Sequence, residues 1–313
     1  MEDIYFDNKS VAIDIAFIES LTLTKSTKSG RPEHFRLLPP HKKLVANLLG
    51  WKRPDGTRLY RSCYFSVARK NAKTQIAAAL ALDLLVLDNE SQPELYLCAV
   101  DRDQASICFH AAADMVRANQ ELCQILTVVP YQKEIINKLN GGKLKALSSE
   151  GASKHGFNPS CVIFDELHAW GEPERELYDA MISGSAARRQ PLFLTITTAG
   201  IDEHSLCGTQ YDYAKRVQDG TVLDETFLPL IYEVPKDADW TDESLWHLAN
   251  PCIGDIVSLQ ALREAKDKAL NVPSQQTAFR RLHLNQWVNS RSTWIPLEQW
   301  DGCKWDELPI RAA

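Results

Sequence analysis

Between residues 60 and 220, short apolar runs alternate with longer stretches of helical character. CYFSVA (63–68), ELYLCAV (94–100), KLKALSS (143–149), CVIFDE (161–166) and LFLTITT (192–198) each read as a strand. Helices are predicted between them, from about Thr74 to Leu87, over 103–120, around 173–187 and from about Ser205 to Gln218. The first of these, TQIAAALALDLLVL, is apolar nearly all round and therefore buried. Apolar strands alternating with helices predict an α/β fold, a mostly parallel sheet sandwiched by helices. Ligands of such sheets sit beyond the carboxyl ends of the strands.

The pattern differs on either side of this region. Residues 1–36 are mixed and polar without a strong period, which predicts an arm or a short helix. HKKLVANLLGW (41–51) places Leu44, Leu48 and Trp51 on one helical face, and a PDG turn at 54–56 follows. After about 230 the alternation stops. ETFLPLIYEV is one more strand candidate, and 258–270 and 274–287 read as helices before a Trp-rich tail. The expected organisation is an N-terminal arm (1–40), the domain of alternating strands and helices (41–230) and a mainly helical subdomain or linker (231–313).

Composition narrows the classes. The 313 residues are 44% hydrophobic and 24% charged, ordinary for a globular protein with a substantial core. No apolar run is long enough to span a bilayer and the N-terminus lacks a secretory layout, so a cytoplasmic protein without membrane contact is expected. The eight cysteines form no CxxC pair and several lie in apolar runs, which reads as reduced core thiols. A net charge of −6 gives no support for a surface that grips nucleic acid throughout, so any such contact needs a local patch. The richest is 133–155, with five lysines against two glutamates, although an ordinary solvated face is its commoner meaning.

Three segments carry candidate chemistry. SVARKNAKT (66–74) lies between a strand and a helix, the context a phosphate-binding loop requires. Val67, Ala68, Arg69, Lys70, Asn71, Ala72, Lys73 and Thr74 would form it, with Lys73 reaching the β and γ phosphates and Thr74 ligating Mg²⁺. Against G-x-x-x-x-G-K-[ST], Val67 and Ala72 replace the two glycines, and an exposed basic turn capping a helix fits this string alone equally well. CVIFDELH (161–168) places two carboxylates at the end of a buried strand. Asp165 would hold the Mg²⁺ shell and Glu166 would activate water, whereas an acidic turn before a capped helix is the plainer reading. LFLTITTAG (192–200) ends in Thr197 and Thr198, placed to sense a γ-phosphate. Arg69 in cis, or Arg188, Arg189 or Lys154 in trans, are candidates for stabilising transition-state charge. His168 reads as a structural hydrogen-bonding residue.

Taken in order, VARKNAKT, DRDQA, HGFNPSCVIFDELHAW, ITTAG and LNQWVNSRSTWIPLEQWDGC resemble the large terminase subunits of tailed bacteriophages and prophages over nearly the entire chain. The resemblance implies a RecA-like, additional-strand P-loop ATPase. Its cofactors would be ATP and Mg²⁺, and its task the translocation of double-stranded viral DNA into the capsid. Implied partners are the portal protein, the small terminase subunit and further copies in a homo-oligomeric ring, in the bacterial cytoplasm and transiently on the procapsid. It assigns Lys73 and Thr74 to phosphates and metal, Asp165 to Mg²⁺, Glu166 to the catalytic base, and Thr197 and Thr198 to coupling. Relatives carry glycine where Ala72 stands, and an adenine-contacting glutamine where Lys42 stands in LLPPHKK. The nuclease domain typical of the family is expected to be absent, because Asp301 and Asp306 sit in a polar tail. The alternatives are a DExH helicase-like DNA-dependent ATPase and a degenerate prophage P-loop protein without turnover.

Overall fold

A computed structural model describes residues 3–25, 30–148 and 156–288. Its strands are β1 (Tyr5–Phe6), β2 (Thr22–Leu23), β3 (Glu33–His34), β4 (Trp51–Lys52), β5 (Ser62–Ser66), β6 (Glu94–Ala99), β7 (Leu126–Val129), β8 (Glu134–Asn137), β9 (Lys143–Ser148), β10 (Cys161–Asp165), β11 (Leu192–Thr197) and β12 (Phe227–Ile231). Its α-helices are α1 (Asn8–Ser20), α2 (Pro39–Gly50), α3 (Lys73–Leu87), α4 (Arg102–Ala118), α5 (Gln120–Ile125), α6 (Glu172–Gly184), α7 (Leu206–Gln218), α8 (Trp246–Ala249), α9 (Leu259–Asn271) and α10 (Pro273–Leu284).

Eight strands form one sheet in the order β12-β5-β11-β10-β6-β9-β8-β7. The six from β12 to β9 are parallel, and β8 and β7 add an antiparallel hairpin at one edge. Strand β11 is inserted between β5 and β10, so the loop after β5 and the acids after β10 flank a third strand end. Register aligns these ends, because Ser66 pairs with Thr197 on one side and Ile231 on the other, and Asp165 pairs with Ile196.

Alternation along β10 explains the layers. Cys161 and Ile163 pack in the cluster that holds α1 to α4, whereas Val162 and Phe164 pack with Leu177 and Met181 of α6 and Cys207 of α7. Helix α3 is buried almost continuously from Ile76 to Leu85, as its all-round apolar sequence requires. Asp101 caps α4 by accepting from the Asp103 and Gln104 amides, each at 2.8 Å, which gives the DRDQA string a structural role. A separate core of Trp246, Ala249, Val257, Leu262, Ala269, Phe279 and Leu284 joins α8, α9 and α10, and it includes Ala68 of the loop after β5.

Several expectations change. Residues 8–20 form a helix, one of the two forms expected of this segment, and its Ile18, with Leu21 just beyond, lies in the main core. The β7–β8 hairpin and α8 were not expected. Helix α10 ends at Leu284 instead of 287, because Asn285 turns left-handed at φ 54°. The sequence from 289, with Cys303, Asp301 and Asp306, lies outside the described residues, as do Lys154 and His155.

Candidate active site

The loop after β5 is held in a conformation that its residues do not favour. Lys70 (φ 69°) and Ala72 (φ 57°) are both left-handed, which costs a non-glycine residue about 1 kcal/mol or more. Buried Asn71 organises the turn. Its carbonyl accepts from His41 Nε2 at 3.1 Å, its amide nitrogen donates to Ala68 O and Asn250 Oδ1, each at 3.1 Å, and its Oδ1 accepts from the Cys252 amide at 3.3 Å. The Val67, Ala68 and Arg69 amides donate to Thr197 O, Ala249 O and Leu282 O. Arg69 and Lys70 are exposed and Thr74 is half-buried. The first-turn amides of α3 have no partner within the helix and form the polar end of the loop.

Lys73 is the first residue of α3, and only 5% of its side chain is exposed. Its Nζ donates to Val67 O (3.1 Å), Ala68 O (3.3 Å) and Thr198 Oγ1 (3.1 Å), and lies 4.0 Å from Glu166 Oε1. Burial lowers the pKa of this ammonium, and the charges of Glu166 and Asp165 oppose that shift.

Asp165 and Glu166 close the pocket. Asp165 ends β10 and is buried, and its Oδ1 has no hydrogen-bond partner. Burial, followed by the neighbouring Glu166 charge, pushes its pKa up to about 7 against the pull of Lys73. Glu166 is left-handed at φ 50°, and Trp170 Nε1 holds the preceding carbonyl, Asp165 O, at 3.1 Å. Glu166 Oε2 accepts from His168 Nδ1 at 3.0 Å and lies 3.5 Å from Thr198 Oγ1. Burial alone would raise the Glu166 pKa, but the His168 hydrogen bond and the Lys73 charge outweigh it and the net shift is downward. The Thr197 hydroxyl accepts from the His168 amide at 3.0 Å and donates to Thr198 O at 3.0 Å.

The structure therefore brings Lys73, Asp165, Glu166, Thr197 and Thr198 to one place, together with His168, which the sequence marks only as a structural hydrogen-bonding residue. Other candidates fall elsewhere. Arg188 donates to the carbonyls of Ser91, Gln92 and Asn158, and Arg189 to Asp55 O, all at the amino-end side of the sheet. Lys42 pairs with Glu19 of α1 at 3.1 Å, while its neighbour His41 reaches the loop. In the basic stretch, Lys143 and Lys145 are exposed on β9, but Glu134 stands opposite Lys145, and Lys133 donates to Arg102 O and Ser106 Oγ. The seven described cysteines are all free.

A parallel sheet with an inserted strand, a loop lysine at a helix N-terminus and an acid pair facing it define a P-loop nucleoside triphosphatase fold. The family pattern for the terminase large subunit, ATPase domain, matches residues 39–216, and that for the terminase large subunit, endonuclease domain, matches 221–312. The chain belongs to the terminase large subunit ATPase-domain family. It is 33% identical over 298 residues to the terminase large subunit of Enterobacteria phage HK97, across 95% of this chain and 56% of that protein. It is 34% identical over 155 residues to protein YmfN of Escherichia coli K12, across 50% of this chain and 34% of that one. The crystal structure of the HK97 large terminase matches with TM-score 0.78 and 30% identity, over 97% of this chain and 59% of that chain. The ATPase domain of the Thermus phage P74-26 large terminase, at TM-score 0.52 and 13% identity, shares the fold over 72% of this chain and 88% of its own. The chain thus spans little more than half the length of the HK97 relative. The endonuclease-domain match to residues 221–312 leaves the expected absence of a nuclease domain unsupported.

Proposed function

We propose that this chain is the ATP-hydrolysing motor part of a phage terminase, coupling hydrolysis to the movement of double-stranded DNA into a capsid. One observation carries the reading: the Lys73 ammonium and the Glu166 carboxylate stand 4.0 Å apart at the carboxyl ends of parallel strands, bridged by Thr198. In this reading Lys73 exchanges the loop carbonyls for the β and γ phosphates, and the first-turn amides of α3 hold the remaining oxygens. The orphaned, buried Asp165 Oδ1 fits a divalent cation, which Asp165 and the Thr74 hydroxyl would hold. Bound there, Mg²⁺ supplies charge neutralisation between the phosphates. Glu166 orients the attacking water and takes its proton, and His168 sets the angle of that carboxylate. In the same reading Arg69, exposed on the loop, would meet charge developing at the transferred phosphoryl group. Thr197 and Thr198 report the presence of the γ-phosphate, since one contacts the base's partner and the other contacts the lysine.

The proposed partners follow from the family: double-stranded DNA, the portal protein, the small subunit and further copies of the chain in a ring, in the host cytoplasm and on the procapsid. The test is Mg²⁺-dependent ATP hydrolysis with and without linear duplex DNA. Turnover that duplex DNA raises, without strand separation, supports the motor. Strand separation would point to a helicase-like ATPase, and tight nucleotide binding without turnover to a degenerate P-loop protein.

A further inference from the structure

The LNQW string at 284–287 lies within the stretch matched by the endonuclease-domain pattern, yet it is built into the floor of the nucleotide site. Asn285 is 1% exposed and caps α10 in the left-handed region. Its Nδ2 donates to Ser66 Oγ at 2.9 Å and to Tyr232 O at 2.7 Å, and its Oδ1 accepts from the Ala199 amide at 2.7 Å. One carboxamide thus ties together the ends of β5, β11 and β12, using both amide hydrogens and the oxygen. Ser66 immediately precedes the phosphate loop. Ala199 immediately follows Thr198, whose hydroxyl meets Lys73 and Glu166.

Two residues further on, the Trp287 ring stacks on Tyr211 of α7 with centroids 5.0 Å apart. The same ring covers Gly200 so closely that a Cβ there would stand 2.8 Å from it. Trp287 Nε1 is buried without a hydrogen-bond partner among the described residues, and the residue borders a cavity of about 300 Å³ lined also by Lys236, Gln276 and Arg280. Residues 198–200 and 285–287 are therefore interlocked by one hydrogen bond, from the Ala199 amide to Asn285 Oδ1, and one ring contact. Any shift of the strand end that follows loss of the Lys73–Thr198 bond is delivered to both.

We infer that Asn285 is the positioning residue that transmits nucleotide state from the strand end at Thr198–Gly200 to Trp287. The inference rests on the ATPase reading of the site. A helix cap alone would need only the left-handed backbone, which glycine provides, so Asn285→Gly removes the three side-chain bonds while keeping the cap. The chain carries eight tryptophans, so it is labelled with 5-fluorotryptophan and the Trp287 resonance is assigned with Trp287→Phe. A non-hydrolysable ATP analogue with Mg²⁺ is titrated into the wild type and into Asn285→Gly, and steady-state hydrolysis is followed in parallel.

The Trp287 resonance is expected to shift on binding in the wild type and to stay in place in the variant. Affinity should change by less than about threefold, while kcat falls about tenfold or more at little-changed KM. An equal shift in both proteins, or none in the wild type despite binding, overturns the role of Asn285 and leaves the ATPase reading standing. Absence of nucleotide binding in the wild type overturns both. Should Asn285→Gly prove unfolded by thermal melting, Asn285→Asp keeps the oxygen that accepts from Ala199 and loses both donors. It must then show the same split between kcat and KM, and unchanged kinetics would overturn the inference.

Discussion

Lys73 Nζ and Glu166 Oε1 face each other at 4.0 Å across the ends of two parallel strands, and the Thr198 hydroxyl lies between them, 3.1 Å from the ammonium. The lysine rests on two loop carbonyls and the glutamate on His168. The loop carbonyls that hold the ammonium are groups that phosphate oxygens can replace. Four consequences follow from this pocket and the scaffold behind it.

Ala72 occupies a left-handed position next to the loop lysine. Ala72→Gly removes the Cβ from a conformation that disfavours it, at the expense of a freer unfolded chain. The expected gain is about 0.5–1 kcal/mol in urea unfolding, with tighter nucleotide binding. A loss of stability would show that the methyl group packs favourably.

Asp165 has a folded-state pKa of about 7, above its ordinary 3.8. Its contribution to stability is therefore present below pH 3.8 and is lost as the pH rises through 7. Asp165→Asn should remove that loss, so the variant gains thermal stability relative to the wild type between pH 5.5 and pH 8. Because a cation competes with the same proton, Mg²⁺-dependent nucleotide affinity in the wild type should rise over this interval. Calorimetric titration at several pH values measures both effects, and a pH-independent affinity would remove Asp165 from the metal site.

His168 holds Glu166 below its ordinary pKa against the effect of burial. In His168→Ala burial acts with less opposition, so Glu166 protonates at higher pH and the acid limb of the kcat profile moves up. Rate–pH curves of the two proteins make the comparison. An unmoved limb would show that the imidazole does not set the Glu166 pKa, since His168→Ala keeps the backbone amide that donates to Thr197.

At the amino-end side of the sheet, Arg58 Nη1 meets Asp88 Oδ1 at 2.8 Å, and both side chains are buried. Breaking this pair with Asp88→Ala leaves an uncompensated guanidinium and should cost about 3–5 kcal/mol in denaturant unfolding. Nucleotide affinity at the opposite end of the strands should be unchanged.

Much of this architecture is legible in the residues. Five strand segments, the buried α3 and the facing loop and acid pair follow from apolar runs that end in charged residues. The β7–β8 hairpin does not, because its four-residue strands are broken by Pro130, Tyr131, Gln132 and Lys133 and carry little alternation. Helix α1 is hidden because it buries only Val11, Asp14 and Ile18 and exposes much of the rest. Nor can periodicity reveal that Asn71 binds Asn250, or that Asn285 binds Ser66, since those pairs are 179 and 219 residues apart. His41 gives no signal beside Lys42 for a similar reason: the helix rotation that decides which one faces the loop is set by packing.

The convergence on one triphosphate pocket is tested most directly by measuring ATP-analogue binding and single-turnover hydrolysis in Lys73→Ala and Glu166→Gln. The account predicts that Lys73→Ala weakens binding by about a hundredfold, whereas Glu166→Gln binds nearly as the wild type does and hydrolyses at least about a hundredfold more slowly. Wild-type hydrolysis in Glu166→Gln, or wild-type affinity in Lys73→Ala, would contradict it.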